Sequence, residues 1–202
     1  MKPVQTVFLA SFMAMVAVTP SLAADQWAAK TVKTVCSKCH GPDGAGNSPM
    51  FPRLAGQQEA YLLHQLVLFR ARSRADAHAR AYMWGISSPL NDQQIGQLAH
   101  YLATRKPAKP TPPENPQLAK AGEEIFEKGV PARSVPACRD CHGAEGTGML
   151  EIPRLAGQYR DYLYRAIQEF RGLLRRSDIM HDQTKSITDE EALAVAEYMS
   201  SR

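Results

Sequence analysis

The chain holds only four cysteines, and two short motifs use all of them. No thiol is therefore left for a disulfide, an iron–sulfur cluster or a nucleophile. It also lacks a second long apolar run: beyond the N-terminal stretch nothing is apolar enough to cross a membrane. No convincing alternation of apolar and polar residues marks a strand, which leaves helices and loops. The basic residues form no single stripe, which removes the pattern expected of a nucleic-acid binder.

At the front stand Lys2, an almost unbroken apolar run from Val7 to Val18, and the small residues of Ser21-Leu22-Ala23. This is the order of a secretory leader. The run is shorter than the ~20 residues that span a bilayer, so a retained anchor is the weaker alternative. Cleavage after Ala23 leaves Ala24 to Arg202 as the mature chain, and the expected compartment is the periplasm.

The motifs are Cys36-Ser37-Lys38-Cys39-His40 and Cys138-Arg139-Asp140-Cys141-His142. Cys-x-x-Cys-His is the attachment pattern of c-type haem. Two thiols one short turn apart can each add to a vinyl group of one porphyrin, and the histidine that follows lies where it can bind the iron axially. Four cysteines and two histidines could also make a zinc site. Two separate copies in an exported chain favour haem, and haem attachment of this type itself requires export. The expected cofactors are two covalently attached haem c groups, held by Cys36, Cys39, Cys138 and Cys141, with His40 and His142 on the irons.

The motifs sit in a larger repeat. Pro52-Arg53-Leu54-Ala55-Gly56-Gln57 returns as Pro153-Arg154-Leu155-Ala156-Gly157-Gln158, and Tyr61 and Phe69-Arg70 return as Tyr162 and Phe170-Arg171, at an offset of 101. After a net loss of four residues Met83 matches Met180, Leu90 matches Ile187 and Tyr101 matches Tyr198, at an offset of 97. Two units make a duplicated domain and not a solenoid. Between them Lys106 to Pro116 holds five prolines and no large apolar residue, a semi-rigid spacer. The reading is a signal peptide over 1–23, a first domain over 24–106, a linker over 107–116 and a second domain over 117–202. Each half is small for an unassisted core, and a buried haem supplies missing apolar interior.

Both halves read as helical. Leu62, Leu63, Leu66, Val67 and Phe69 lie near a 3.6-residue period within a helix over Gln57 to Ser73, with its counterpart from Gln158 to Leu174. Asn91 with Gln94, and Thr188 with Glu191, open the last helix of each half. Helices over Trp27 to Val35 and Gln117 to Lys128 precede the motifs. Gly41 to Pro52 and Gly143 to Pro153 are loops.

The sixth iron ligand has several candidates: Met50, Met83, His64, His78 and His100 in the first half, and Met149, Met180, Met199 and His181 in the second. Only Met83 and Met180 occupy equivalent positions, in a loop ahead of the last helix, so these are the expected ligands. His78 and His181 are the rivals, close by but unmatched in the repeat. A ligating imidazole commonly gives its other ring proton to a carbonyl, and the rigid turns at Pro52 and Pro153 are placed to offer one. Arg53, Arg154, Arg70 and Arg171 recur and could pair with haem propionates.

With both Cys-x-x-Cys-His-Gly motifs, the paired Pro-Arg-Leu-Ala-Gly-Gln segments, Met83 and Met180, and Gly122-Glu123-Glu124-Ile125-Phe126 followed by Val135-Pro136-Ala137-Cys138, the chain resembles dihaem class I cytochromes c of the cytochrome c4 type. The likeness spans Asp25 to Arg202. It implies an all-α fold of two tandem domains, each wrapped around one His/Met haem, and electron transfer to a terminal oxidase or another redox protein, including a membrane-bound oxidase or reductase. A carrier of this kind is no enzyme, and neither a small-molecule substrate nor nucleic acid is expected. The alternative is an electron-accepting subunit of a catalytic complex such as a sulfur-compound dehydrogenase; a dihaem enzyme is third, and would need an open or unusual iron ligand. One departure is the stretch from Arg72 to Ala81, four residues longer than its counterpart. Residues 24–106 carry ten Lys/Arg against five Asp/Glu, while 114–202 carry twelve against fifteen, so the halves are oppositely charged.

Overall fold

The computed structural model describes residues 22–202. Of the expected leader, all but Leu22 and Ala23 lies outside the described residues. Among those described, every regular element is helical, and the only extended pairings are two isolated bridges, Val130 with Val135 and Met149 with Ile152. No described helix is long and apolar enough to cross a membrane.

In the first half α1 (Leu22–Thr31) continues through a wide π turn, Val32–Cys36, into the short α2 (Ser37–His40). The helix expected over Trp27 to Val35 thus runs unbroken into the cysteine motif. It stops at Gly41, whose φ of 74° and ψ of 170° form a backbone conformation open essentially to glycine alone. Next come α3 (Glu59–Arg70), a π turn over Ala79–Met83, α4 (Trp84–Ser87) and α5 (Asp92–Ala103). The second half repeats the plan with α6 (Pro116–Lys128), α7 (Arg139–His142), α8 (Arg160–Arg171), α9 (Asp178–Thr184) and α10 (Asp189–Ser200). The expected capping box at Thr188/Glu191 is formed, and Asn91/Gln94, read as a helix start, forms a second. Asn115 caps α6, with Pro116 at its first position, where the missing N–H costs nothing.

Each half has its own core. Leu98, Ala99 and Leu102 of α5 pack with Ala28, Val32 and Leu62. The matching Val195, Ala196 and Met199 of α10 pack with Phe126, Leu163 and Tyr198. Where α6 crosses α10 the backbones touch: a Cβ on Gly122 would collide with the Ala194 carbonyl. That close crossing is what carries Phe126 to full burial.

The halves meet through a reciprocal exchange. Gln158 accepts from the Arg53 N–H at 2.8 Å and donates to the Arg53 carbonyl at 2.9 Å. Gln57 does the same for Arg154, at 2.6 and 2.9 Å. Both glutamines are buried, so each side-chain amide satisfies a backbone pair that would otherwise be stranded at the seam. Arg165 adds a bond to the Met50 carbonyl at 2.8 Å, and the Arg53 guanidinium lies 4.2 Å from the Tyr159 ring centre. The proline-rich segment is tied at its far end, where Thr111 donates to Ser200 and Asn115 to the buried Glu197.

A methyl at Gly122 forces the helices apart. Gly122→Ala should therefore lower the unfolding free energy by about 1–3 kcal/mol, the usual cost of overpacking. Chemical denaturation of the wild type and variant measures it, and an unchanged midpoint would show that α6 and α10 are not in backbone contact.

Candidate haem-binding sites

Each motif is a single helical turn, so cysteines three apart lie on one face, with the histidine one residue further on. All four cysteines are unpaired. Burial pushes the Cys36 thiol up and raises Cys138 to about 11, so both rest as protonated thiols at neutral pH.

The histidines are buried at 7 and 6 % exposure, and their Nδ1 atoms meet proline carbonyls: His40 with Pro52 at 2.8 Å and His142 with Pro153 at 3.0 Å. Desolvation lowers both imidazole pKa values, while the proline hydrogen bonds act the other way. With the Nδ1 hydrogen given to the carbonyl, Nε2 keeps its lone pair and can serve as a metal donor. The loops are closed in the same manner, by Gly46 N–H on the His40 carbonyl at 2.7 Å and Gly148 N–H on the His142 carbonyl at 2.9 Å.

Met83 and Met180 are both half-buried. The structure puts them on helical turns and not in the loop expected ahead of each last helix: Met83 ends the π turn, and Met180 lies in α9. Each is held by a hydroxyl one turn later, Ser87 Oγ donating to the Met83 carbonyl at 2.7 Å and Thr184 Oγ1 to the Met180 carbonyl at 2.6 Å. In the first half Phe51 stands edge-on to His40 (6.0 Å between centroids) and to Tyr82 (5.2 Å), the residue before Met83. Histidine and methionine segments are thus drawn to one side of the domain.

The other candidates separate cleanly. Met199 is packed in the core at 1 % exposure, whereas Met50 and Met149 are exposed in loops. His64 is exposed and His100 pairs with Glu59 at 3.0 Å. The His181 Nδ1 meets the Phe170 carbonyl at 3.1 Å, while the His78 Nδ1 is buried without a partner. Arg70 and Arg171 are engaged elsewhere: each bonds the carbonyl before the last helix, Leu90 or Ile187, and pairs with Asp92 or Asp189 in its first turn. They brace the helix that follows each methionine. Arg53 is engaged with main-chain carbonyls across the seam, Gly157 among them. The repeat did not single out Gln57 and Gln158 as seam residues, or Arg74 and Arg175, although both pairs recur at the same offset of 101.

The donor set of each half is therefore two free thiols, one imidazole fixed through Nδ1, and one thioether held on a short helix. It fits a covalently attached haem with two axial ligands. Several large apolar side chains remain exposed, among them Val35, Leu63 and Ile86 in the first half and Leu173, Leu174 and Ile179 in the second.

These features define a haem protein built from two copies of one small helical domain. Comparison with known proteins gives the family: the Cytochrome c family model matches residues 28–106 and again 119–202. The chain is 37% identical over 171 residues to cytochrome c4 of Thiocapsa roseopersicina, covering 82% of this chain and 85% of that one. It is 34% identical to the thiosulfate dehydrogenase electron acceptor of Thiomonas intermedia, covering 87% and 82%. A solved structure of cytochrome c4 from Acidithiobacillus ferrooxidans superposes with a TM-score of 0.79 at 37% identity, over 83% of this chain and 98% of that one. The chain belongs to the cytochrome c family and is a dihaem member of the cytochrome c4 type. Its cofactors are two covalent haem c groups, and its activity is electron transfer.

Gly41 and Gly143 both hold positive φ, at 74° and 80°. A Cβ on Gly41 would lie 2.5 Å from the Gly46 carbonyl carbon, while at Gly143 the nearest atom is 3.8 Å away. Gly143→Ala should cost about 1–3 kcal/mol from conformation alone. Gly41→Ala should cost more and lower the yield of haem-loaded first domain. Thermal unfolding with a haem assay checks this, and equal losses would contradict the different surroundings of the two turns.

Proposed function

We propose that the protein is a periplasmic electron carrier in which Cys36 and Cys39 anchor one haem, with His40 and Met83 as its axial ligands. Cys138, Cys141, His142 and Met180 do the same in the other half. The carrying observation is the repeated geometry: histidine Nδ1 fixed on a proline carbonyl, and a methionine fixed by the hydroxyl four residues on. When bound, each haem supplies a one-electron Fe(III)/Fe(II) couple. The protein's part is to orient the imidazole, hold the thioether and exclude water. With His40 or His142 and Met83 or Met180 as its iron ligands, each haem would favour the reduced state and have a raised potential. Residues 24–106 and 117–202 form the two units, with 107–116 as spacer and 1–23 as the export leader.

Pyridine haemochrome assay should give two haems per chain, and bound zinc or a single haem would refute the reading. Met83→Ala and Met180→Ala should each remove about half of the weak near-red absorption that marks iron–thioether bonding, and lower one potential. A band unchanged by Met83→Ala but altered by His78→Ala would move the first-domain ligand.

The partners are redox proteins. Lys30 and Lys33 are exposed on the helix that leads into Cys36, so the basic half suits an acidic partner and the acidic half a basic one. Lys30→Glu with Lys33→Glu should slow stopped-flow reduction or oxidation by an acidic partner far more than by a basic one, and raised salt should slow both. Equal slowing would make the charge asymmetry incidental. A second reading, a permanently bound electron-accepting subunit, is favoured by the likeness to the Thiomonas intermedia protein. Co-purification with a catalytic partner separates the two.

A further inference from the structure

Asp76, His78 and Glu169 converge at the seam between the halves. A carboxylate oxygen of each acid and a ring nitrogen of His78 all lie within 4.8 Å of one another. Asp76 and His78 stand in the lengthened stretch of the first half, Arg72 to Ala81, and Glu169 on α8 of the second. Both acids are buried, at 2 and 8 % exposure, and His78 is half-buried. Three arginines face them and stay charged. Arg74 takes one Asp76 oxygen at 2.8 Å, and the other accepts from the Ala79 N–H at 3.0 Å. Arg175 turns to the Tyr61 hydroxyl at 2.5 Å and the Tyr162 hydroxyl at 3.5 Å, and shares Gln65 Oε1 with Arg74. Arg165, one turn before Glu169, gives Nη2 to the Met50 carbonyl.

Within this cluster two groups lack a hydrogen bond. The nearest cation to the Glu169 carboxyl is Arg165 Nε at 3.7 Å, too far for one. The His78 Nδ1 is buried without a partner. One hydrogen removes both deficits, because a carboxyl O–H can donate to a neutral ring nitrogen. A small side-chain rotation or one bridging water spans the gap. Charge leans the same way. Burial, then the Asp76 charge, pushes the Glu169 carboxyl up, against the three arginines. Burial, then Arg165, pulls the His78 imidazole down, with Arg74 adding to this and Asp76 opposing it. Asp76 itself, bonded to Arg74 and to the Ala79 N–H, is held ionised.

We propose that Asp76, His78 and Glu169 form a proton-binding site across the seam, filled when the protein is reduced and emptied when it is oxidised. Glu169 carries the proton, His78 Nδ1 accepts its hydrogen bond, and the Asp76 charge favours its presence. The electron comes from the redox partner and goes to iron. The proton comes from solvent and makes one O–H bond, and no other bond changes. Reduction removes a positive charge from the haem and so strengthens proton binding nearby. The coupling is reciprocal, so a bound proton raises the potential. The potential is therefore highest below the pH at which the oxidised protein loses the proton. It falls as pH rises, and levels off above the pH at which the reduced protein loses it. At an effective dielectric near 20, a unit charge roughly 12 Å from a redox centre shifts a one-electron equilibrium about tenfold. Tenfold corresponds to 59 mV for a one-electron couple.

This coupling rests on the haem placement proposed above, so haem content and the near-red band are measured first. A shortfall in the wild type faults that placement. A band altered by His78→Gln would make His78 an iron ligand and overturn the proton site instead. Spectroelectrochemical titration of the full-length holoprotein across pH then gives the mean of its potentials. In the wild type that mean should fall over one pH window, by up to tenfold in equilibrium constant. The reduced-minus-oxidised infrared spectrum should show a protonated carboxyl gained on reduction. Glu169→Gln, nearly isosteric, should flatten the pH dependence and remove the infrared signal. Asp76→Asn, which takes away the charge that favours the proton, should move the window to lower pH. A pH-independent wild type overturns the proposal, and so does a window or an infrared signal unchanged in Glu169→Gln. Should Glu169→Gln fail to load both haems, Asp76→Asn decides: a shifted window sustains the proton site and an unmoved one overturns it.

Discussion

In each half one buried imidazole meets, through Nδ1, a proline carbonyl eleven or twelve residues further along the chain. Everything around the site serves that bond. A glycine in the left-handed region turns the chain directly after the histidine, a second glycine N–H closes onto the histidine carbonyl, and the proline removes a competing N–H from the loop tip. The result is a histidine with one nitrogen committed and the other available, fixed before any cofactor is considered. A donor oriented in this way is more basic and better aimed than a free one.

The two copies do not simply sit side by side. Gln57 and Gln158 exchange places, each satisfying the backbone N–H and carbonyl of an arginine in the other half. Such polar satisfaction at a buried seam contributes modestly to net stability, but leaving it unmade is expensive, so the seam has one good register. Fixing the register fixes how the two redox units face each other, which a proline-rich spacer alone does not.

Duplication also shows where the halves diverged. The core positions on the last helices, Leu98, Ala99 and Leu102 against Val195, Ala196 and Met199, are matched position for position, as are the capping boxes, methionine braces and seam glutamines. What differs is surface charge and the short insertion that brings Asp76 inward. Symmetric parts build two like sites.

Residue spacing was enough to reveal the motifs, the duplication, the helical class and the matched methionines, because each depends on local periodicity or on a repeat that can be read along the chain. The proline carbonyl partner was legible too, since it needs only a rigid turn a set distance from the histidine. Tertiary structure decided the rest. Arg70 and Arg171, which the sequence offered only as candidates for haem propionates, brace the final helices because Leu90 and Ile187 lie within their reach only after the chain folds back. Met83 and Met180 lie on helical turns whose carbonyls are bonded by a buried hydroxyl one turn on, a contact that forms only once those turns are in place. Asp76, Glu169 and Glu197 look like surface acids in sequence. Their burial follows from packing between segments far apart in the chain, a long-range contact that no local pattern records.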